Sequence, residues 1–312
     1  MFVAPSTAIA RDFSNDVYTI SADGHDLKQL TGTGDIGIAY FSPDANKILY
    51  NVIYDGAAFH WYLMNSDGQN QRRLTDEPIA ANVKWAPAQD LIIYDNFNPS
   101  TNERNLILHN TETGAQKEIP ALLKLSDYTI APDGRIWCLI ERDGGDGYEL
   151  IAQQADNTIQ QASDKKKWGK TIAQLDLPDT VRFAGWSPDG KHLLLNSYEN
   201  ERYYLWLMEG PGFEKGQIKP PYRWHSGGSP VWNSDGSQMA FIDEEGIWTA
   251  EPGQTPSLFW SGKNIAELLQ WVGDEVVFKM SNRISNNSIE ITVAKTDGEH
   301  QTVLATISPP SP

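Results

Sequence analysis

Short apolar runs, each closed by a polar turn, recur along the whole chain. Lys47 to Ile53 (KILYNVI), Trp61 to Asn65 (WYLMN) and Arg135 to Ile140 (RIWCLI) are typical. Runs of this length, rich in Ile, Leu, Val, Tyr and Trp and bounded by Asn, Asp, Gly and Pro, read as β-strands. They fall into a repeating unit. An aromatic residue followed by a small residue, Pro, Asp and Gly appears in full as Trp186-Ser187-Pro188-Asp189-Gly190. Worn copies are Phe41-Ser42-Pro43-Asp44, Trp85-Ala86-Pro87, Ile130-Ala131-Pro132-Asp133-Gly134, Trp232-Asn233-Ser234-Asp235-Gly236 and Trp271-Val272-Gly273-Asp274. Their starts are separated by 44, 45, 56, 46 and 39 residues, a mean period of about 46.

Between these anchors lies a second signature, a strand ending in a polar turn. Val17-Tyr18-Thr19-Ile20-Ser21-Ala22-Asp23-Gly24 and Trp61-Tyr62-Leu63-Met64-Asn65-Ser66-Asp67-Gly68 show it best. It drifts through Thr113-Gly114, Asp156-Asn157, Glu209-Gly210, Pro252-Gly253 and Asp297-Gly298. Each unit therefore predicts strand A ending in the aromatic, a Pro-Asp-Gly turn, strand B, a variable loop, strand C, an Asp-Gly turn and strand D. Pro presets φ in such a turn, Asp bonds back to the backbone, and Gly takes the φ > 0 position, so the turns set strand register. One four-stranded sheet cannot bury both its faces. The copies must stack radially, with the aromatic at the end of strand A wedged between neighbours.

The Trp-Ser-Pro-Asp-Gly motif and the Met64-Asn65-Ser66-Asp67-Gly68 turn leading to Arg72-Arg73-Leu74-Thr75 resemble the TolB-like (WD40-like) β-propeller repeat. The resemblance implies an all-β propeller of four-stranded antiparallel blades over residues 1–307, followed by a frayed Pro-rich tail at 308–312. Seven blades are favoured, since seven C-to-D turns accompany six strand A anchors, and six is the alternative. Met1-Phe2-Val3-Ala4 resembles the end of a strand B, so the first blade lacks its own strand A. The tail beginning Ala305-Thr306-Ile307 is the segment expected to supply it. The family hosts periplasmic scaffolds, peptidase accessory domains and metal-dependent lyases of pectate fragments. By resemblance the protein is bacterial and periplasmic or extracellular, and a signal peptide is absent from this chain.

Composition narrows the function. With 25 Lys plus Arg against 41 Asp plus Glu the net charge is −16, which disfavours nucleic acid and anionic membranes as partners. No apolar run reaches the length of a membrane span. The single cysteine, Cys138, lies in an apolar strand and reads as an inert buried thiol. No Gly-x-Ser-x-Gly elbow is present for nucleophilic catalysis.

Variable loops B to C and D to A share one face of such a disc, and chemistry belongs there. The ligand-binding candidates on it are Tyr54, His60, Asp95, Phe97, Arg142, Tyr198, Arg202, Tyr222, Arg223, Trp224 and His225. Aromatic rings beside Asp, Asn and Arg can grip a sugar ring or a peptide end. A solvated polar rim is the plainer reading of the same residues. His60 and His225 are candidate ligands for a divalent metal, although no paired motif such as HExxH occurs. Asp143 and Asp146 beside glycines lack the spacing of a calcium loop. Asp243, Glu244 and Glu245 read as a charged turn before they read as an acid-base pair. Lys165 to Lys170 around Trp168 is a basic island, read first as a solvated loop.

These features favour a monomeric, non-catalytic binding or scaffold propeller without cofactor, presenting its loop face to a protein, peptide or glycan. The alternative is a metal-dependent enzyme acting on acidic oligosaccharides, with His60 and His225 on the metal and Arg202 or Arg223 holding the substrate carboxylate.

Overall fold

A computed structural model of the chain describes residues 2–5, 15–19, 27–42, 44–54, 58–75, 83–86, 90–98, 103–120, 124–145, 147–154, 170–177, 180–209, 222–224, 229–262, 265–272, 275–282, 288–295 and 301–307. The described strands form seven antiparallel sheets in chain order, six of four strands and one of three. The first holds β1 (Phe2–Pro5), β2 (Asn15–Thr19) and β3 (Lys28–Gln29). The second holds β4 (Ile36–Phe41), β5 (Lys47–Tyr54), β6 (Ala58–Asn65) and β7 (Arg72–Arg73). The third holds β8 (Val83–Trp85), β9 (Leu91–Asn98), β10 (Glu103–Asn110) and β11 (Gln116–Pro120). In the fourth are β12 (Leu125–Ile130), β13 (Arg135–Glu141), β14 (Tyr148–Gln154) and β15 (Lys170–Leu175). The fifth contains β16 (Thr180–Trp186), β17 (His192–Glu199), β18 (Arg202–Glu209) and β19 (Tyr222–Trp224). The sixth contains β20 (Val231–Trp232), β21 (Met239–Ile242), β22 (Gly246–Ala250) and β23 (Ser257–Ser261). The seventh contains β24 (Ile265–Val272), β25 (Glu275–Asn282), β26 (Ser288–Lys295) and β27 (Gln301–Ile307).

This is an all-β propeller of four-stranded antiparallel blades. In each sheet the hydrogen-bonded order follows the sequence, as tight turns between consecutive strands require. First strands of neighbouring sheets touch, β8 with β12, β12 with β16 and β20 with β24, so these strands line the common axis. Among the described residues no helix is long and apolar enough to cross a membrane.

Six apolar clusters each join one sheet to the next. Val17 and Leu30 pack with Ile48 and Met64 between the first and second, and Ala240 and Ile242 with Val276 and Phe278 between the sixth and seventh. The largest couples the fourth to the fifth. There Trp137, wholly buried, meets Trp186 edge-on at 5.1 Å and 77°. Trp186 and Trp271 are buried at these interfaces, whereas Phe41, Trp85 and Trp232 are half-buried against them, so the repeated aromatic does act as the wedge. Among the described residues no cluster joins the first sheet to the seventh.

One expectation is corrected. Ala305, Thr306 and Ile307 lie in β27 and pair with Ile291, Glu290 and Ile289 of β26. They form the fourth strand of the seventh sheet and cannot supply strand A to the first, because the link Thr296–His300 is too short to carry the chain away from its hairpin partner. The first sheet's strands match B, C and D of a unit. Leu30 N donates to Val17 O as Leu74 N does to Trp61 O, and Val17 N meets the Thr31 hydroxyl as Trp61 N meets that of Thr75. Residues 308–312 lie outside the described residues.

Candidate functional site

The fifth, sixth and seventh sheets differ in height at their loop ends. Trp186, Trp232 and Trp271 are opposite Leu193, Met239 and Val276, which sets the three sheets in common register. From these partners the second strand runs on to Glu199 in the fifth sheet and to Asn282 in the seventh, but only to Ile242 in the sixth. Three fewer residues, at about 3.4 Å each, leave the sixth sheet roughly 10 Å short. A notch therefore opens above it, between two taller sheets.

Local sequence produces the step. In the fifth sheet Asn200 and Glu201 both have positive φ, 49° and 62°, the geometry of a two-residue type I′ hairpin, which pairs Glu199 directly with Arg202. In the sixth, Asp243 Oδ1 accepts from the amides of Glu245 (2.7 Å) and Gly246 (3.2 Å), and the chain turns back at once. Gly246 has φ of 156°, and a Cβ there would overlap the Trp260 carbonyl oxygen, so only glycine closes this hairpin.

On the fifth sheet, Thr180, Tyr198, Tyr203 and Trp224 are directly opposite one another across β16, β17, β18 and β19. Residues facing in one row share a face of the sheet. Arg182, Asn196, Leu205 and Tyr222 form the next row on that face. Leu205, with Leu194 and Leu207, packs on Met239, Phe241 and Ala250 of the sixth sheet, so the face looks toward the sixth sheet. The Tyr198 row stands beyond the end of that packing. Tyr198 is 42% exposed, and its ring lies 4.6 Å from that of Tyr203, tilted by 47°. Arg182, also exposed, donates from Nη1 to the Ser126 hydroxyl of β12 and to the Val181 carbonyl at 2.9 Å. Glu244 and Glu245 are exposed on the floor.

Beneath the inner end of this row a buried carboxylate pins three sheets together. Asp127 on β12 accepts from Lys84 Nζ of β8 at 2.9 and 3.0 Å, from its neighbour Tyr128 N at 2.9 Å, and from Phe183 N of β16 at 2.7 Å. Its side chain is 2% exposed, and the lysine also lies over the Tyr128 and Phe183 rings at 5.7 and 5.5 Å. These donors offset the cost of burying the carboxylate.

The structure gathers some of the sequence-derived candidates and disperses others. Tyr198, Tyr222 and Trp224 share the notch face by register, Arg202 is exposed beside the hairpin turn, and Arg223, opposite Tyr204, falls on the reverse face. Tyr54 ends β5 and the half-buried His60 lies on β6, both in the second sheet. Asp95 and Phe97 lie on β9, where Asp95 is buried and accepts the Tyr128 hydroxyl at 2.9 Å. Arg142 forms an ion pair with Asp176 at 2.6 Å, and Asp143 pairs with Lys124 at 2.7 Å. His225, Asp146 and Lys165 to Trp168 lie outside the described residues. Among the described residues no group of three or more His, Cys, Asp or Glu side chains is gathered as a metal would need. Thr180, Arg182 and Tyr203 were not singled out from the sequence. The alternation Thr180-Val181-Arg182-Phe183 ahead of the Trp186 anchor is the signal that marks Thr180 and Arg182, because its apolar members face the core.

No protein-family model matches the chain, and neither does any curated protein. Among solved structures it is similar to TolB from Acinetobacter baumannii, at 16% identity and a TM-score of 0.50, over 82% of this chain and 63% of that one. An uncharacterized protein from Listeria monocytogenes is similar at 12% identity and 0.56, over 96% and 93% of the two chains. The acylaminoacyl peptidase of Pyrococcus horikoshii is similar at 10% identity and 0.57, over 93% of this chain and 48% of that one. The chain thus has the TolB-like β-propeller fold and spans under two thirds of that TolB and about half of the peptidase.

Proposed function

We propose that the protein is a non-catalytic binding propeller that receives a protein, peptide or glycan in the notch above its sixth sheet. The observation that carries this reading is the aromatic row of the fifth sheet standing clear of the sheet that packs below it. Exposed aromatic area at a step in the fold is available to a ligand without disturbing the core, and aromatic residues carry much of the energy at binding surfaces. The seven described sheets support a ring of seven blades, the first without its strand A. The solved neighbours include TolB and a peptidase, so fold likeness alone favours neither binding nor a role beside a catalytic domain. A monomer located in the periplasm or outside the cell completes the reading, and the location rests on the resemblance of the repeat.

The test is an array of immobilised peptides and oligosaccharides probed with the wild-type protein, Tyr198→Ser/Tyr203→Ser, and Lys191→Ala on the opposite face. Signals that persist with Lys191→Ala and disappear with the tyrosine variant support the notch. Signals indifferent to the tyrosines overturn it. A thermal shift with Mn²⁺, Ca²⁺ or Zn²⁺ that is lost in His60→Ala would support the metal-dependent enzyme instead.

A further inference from the structure

We infer that the notch takes the C-terminal end of a peptide, with Arg182 holding the terminal carboxylate at the axis and Tyr198, Tyr203 and Trp224 receiving the preceding residues. The inference rests on the notch reading and adds the ligand's class and direction.

Arg182 is the group that gives direction. Its Nη1 is engaged by Ser126 and the Val181 carbonyl, which fixes the plane of the guanidinium. Among the described residues no acceptor meets Nε or Nη2, and no carboxylate pairs with this arginine. The Nε and Nη2 edge is the fork that binds a carboxylate through two parallel hydrogen bonds. The nearby acid cannot take it up. Asp127 already accepts from Lys84, Tyr128 N and Phe183 N and is buried behind β12, so the Lys84–Asp127 pair is internally neutral. One positive charge remains at the inner end of the row.

The whole chain argues for one acidic group on the ligand rather than many. A net charge of −16 repels a polyanion, whereas a single carboxylate beside a fixed arginine gains a local interaction that outweighs the distant field. The aromatic geometry favours a peptide over a sugar. A pyranose stacks on a flat ring face, but Tyr198 and Tyr203 are tilted by 47° and form a V that suits an aliphatic side chain. From β16 to β19 the row crosses three interstrand gaps of about 4.8 Å, roughly 14 Å in all. That is the reach of about four extended residues. Such a peptide would lie across the strands, its end at the axis and its body running outward.

The probe is acetyl-Ala-Leu-Ala-Leu as the free acid, with its C-terminal amide and digalacturonate as comparators, titrated by isothermal calorimetry and by saturation-transfer NMR. The free acid is expected to bind at least about tenfold more tightly than the amide. Arg182→Ala should remove that preference without lowering the melting temperature by more than a few degrees, and Arg182→Lys should restore only part of it, since an ammonium lacks the fork. Lys191→Ala should bind as wild type does. Equal affinity for acid and amide, or an unchanged preference in Arg182→Ala, overturns the carboxylate assignment while leaving the notch intact. Digalacturonate bound in preference to the free acid overturns the peptide. Binding that is insensitive to Tyr198→Ser, whatever Arg182 does, overturns the notch itself.

Discussion

The two ends of the fifth and sixth sheets follow different rules. At the turn end the two sheets are nearly superimposable in their bonding. Ser187 N donates to His192 O at 2.9 Å, and Asn233 N to Gln238 O at 3.0 Å. His192 N returns to the Ser187 hydroxyl at 3.0 Å, and Gln238 N to Asn233 Oδ1 at 2.9 Å. Asp189 and Asp235 each accept the amide two residues on, and Gly190 and Gly236 sit at φ of 72° and 74°. The side chain changes from Ser to Asn while the bonds stay. At the loop end nothing is shared, since one strand pair runs on to an Asn200–Glu201 turn and the other reverses at Asp243. The turn end must hold register for the whole blade, and the loop end lies beyond the core. Variation is tolerated where it costs no packing, and a binding surface can form there.

The comparison breaks most deeply if the pin beneath the notch is removed. Asp127→Ala strands the partly buried Lys84 and frees the Phe183 amide, and should cost about 3 kcal/mol of unfolding free energy in urea titrations. A smaller effect, about 2 kcal/mol, is expected for Gly246→Ala, because the β22 backbone must move from Trp260. Since that movement rebuilds the notch floor, ligand capture should fall together with stability, which the turn-end changes should not cause.

The turn end is sharpened by acid. Burial pushes the Asp189 carboxyl up, but hydrogen bonds from Lys191 and Ser187 and the Lys191 charge prevail and hold it at about 2. A carboxyl lowered in the folded state contributes stability above its unfolded value, near pH 4, and loses it as pH falls toward 2. Ser187→Ala should therefore cost about 1 kcal/mol at neutral pH, with the gap to wild type narrowing between pH 4 and 2 in denaturation curves.

In the second sheet the same turn carries Ala45 at φ of 59°, where Gly134, Gly190 and Gly236 stand in later copies. Ala45→Gly should raise stability by about 0.5 kcal/mol, relief of the left-handed strain exceeding the added freedom of the unfolded chain. Least is expected of Tyr198→Ser, within about 0.5 kcal/mol of wild type, although it should abolish capture by the notch. A large loss of stability there would show the ring to be part of the core and erase the contrast between the two ends.

Repeat periodicity, turn chemistry and the all-β character were legible in the chain because each is local. A Pro-Asp-Gly or Asp-Gly turn sets its own dihedrals, and an aromatic once per unit marks the wedge whichever neighbour it meets. Tyr198, Tyr222 and Trp224 were legible as candidates on one face for the same reason. Their direct register with Thr180 and Tyr203 was not, since pairing joins residues far apart in sequence. Asp95 looked like a rim acid and is instead the buried acceptor for Tyr128, a contact between two sheets. The tail at Ala305 to Ile307 looked free to close the ring and is held in its own hairpin.

By itself the sequence determined the repeated unit, its turns and which face carries variable loops, because those follow from backbone propensity and side-chain size within a few residues. Only the tertiary structure decided that a short sixth hairpin lies beside a tall fifth one, that the fifth sheet thereby bares an aromatic row, and that Arg182 keeps an open edge beside a neutralised Asp127. Height, exposure and charge compensation are differences between sheets, and they exist only once the sheets are packed together.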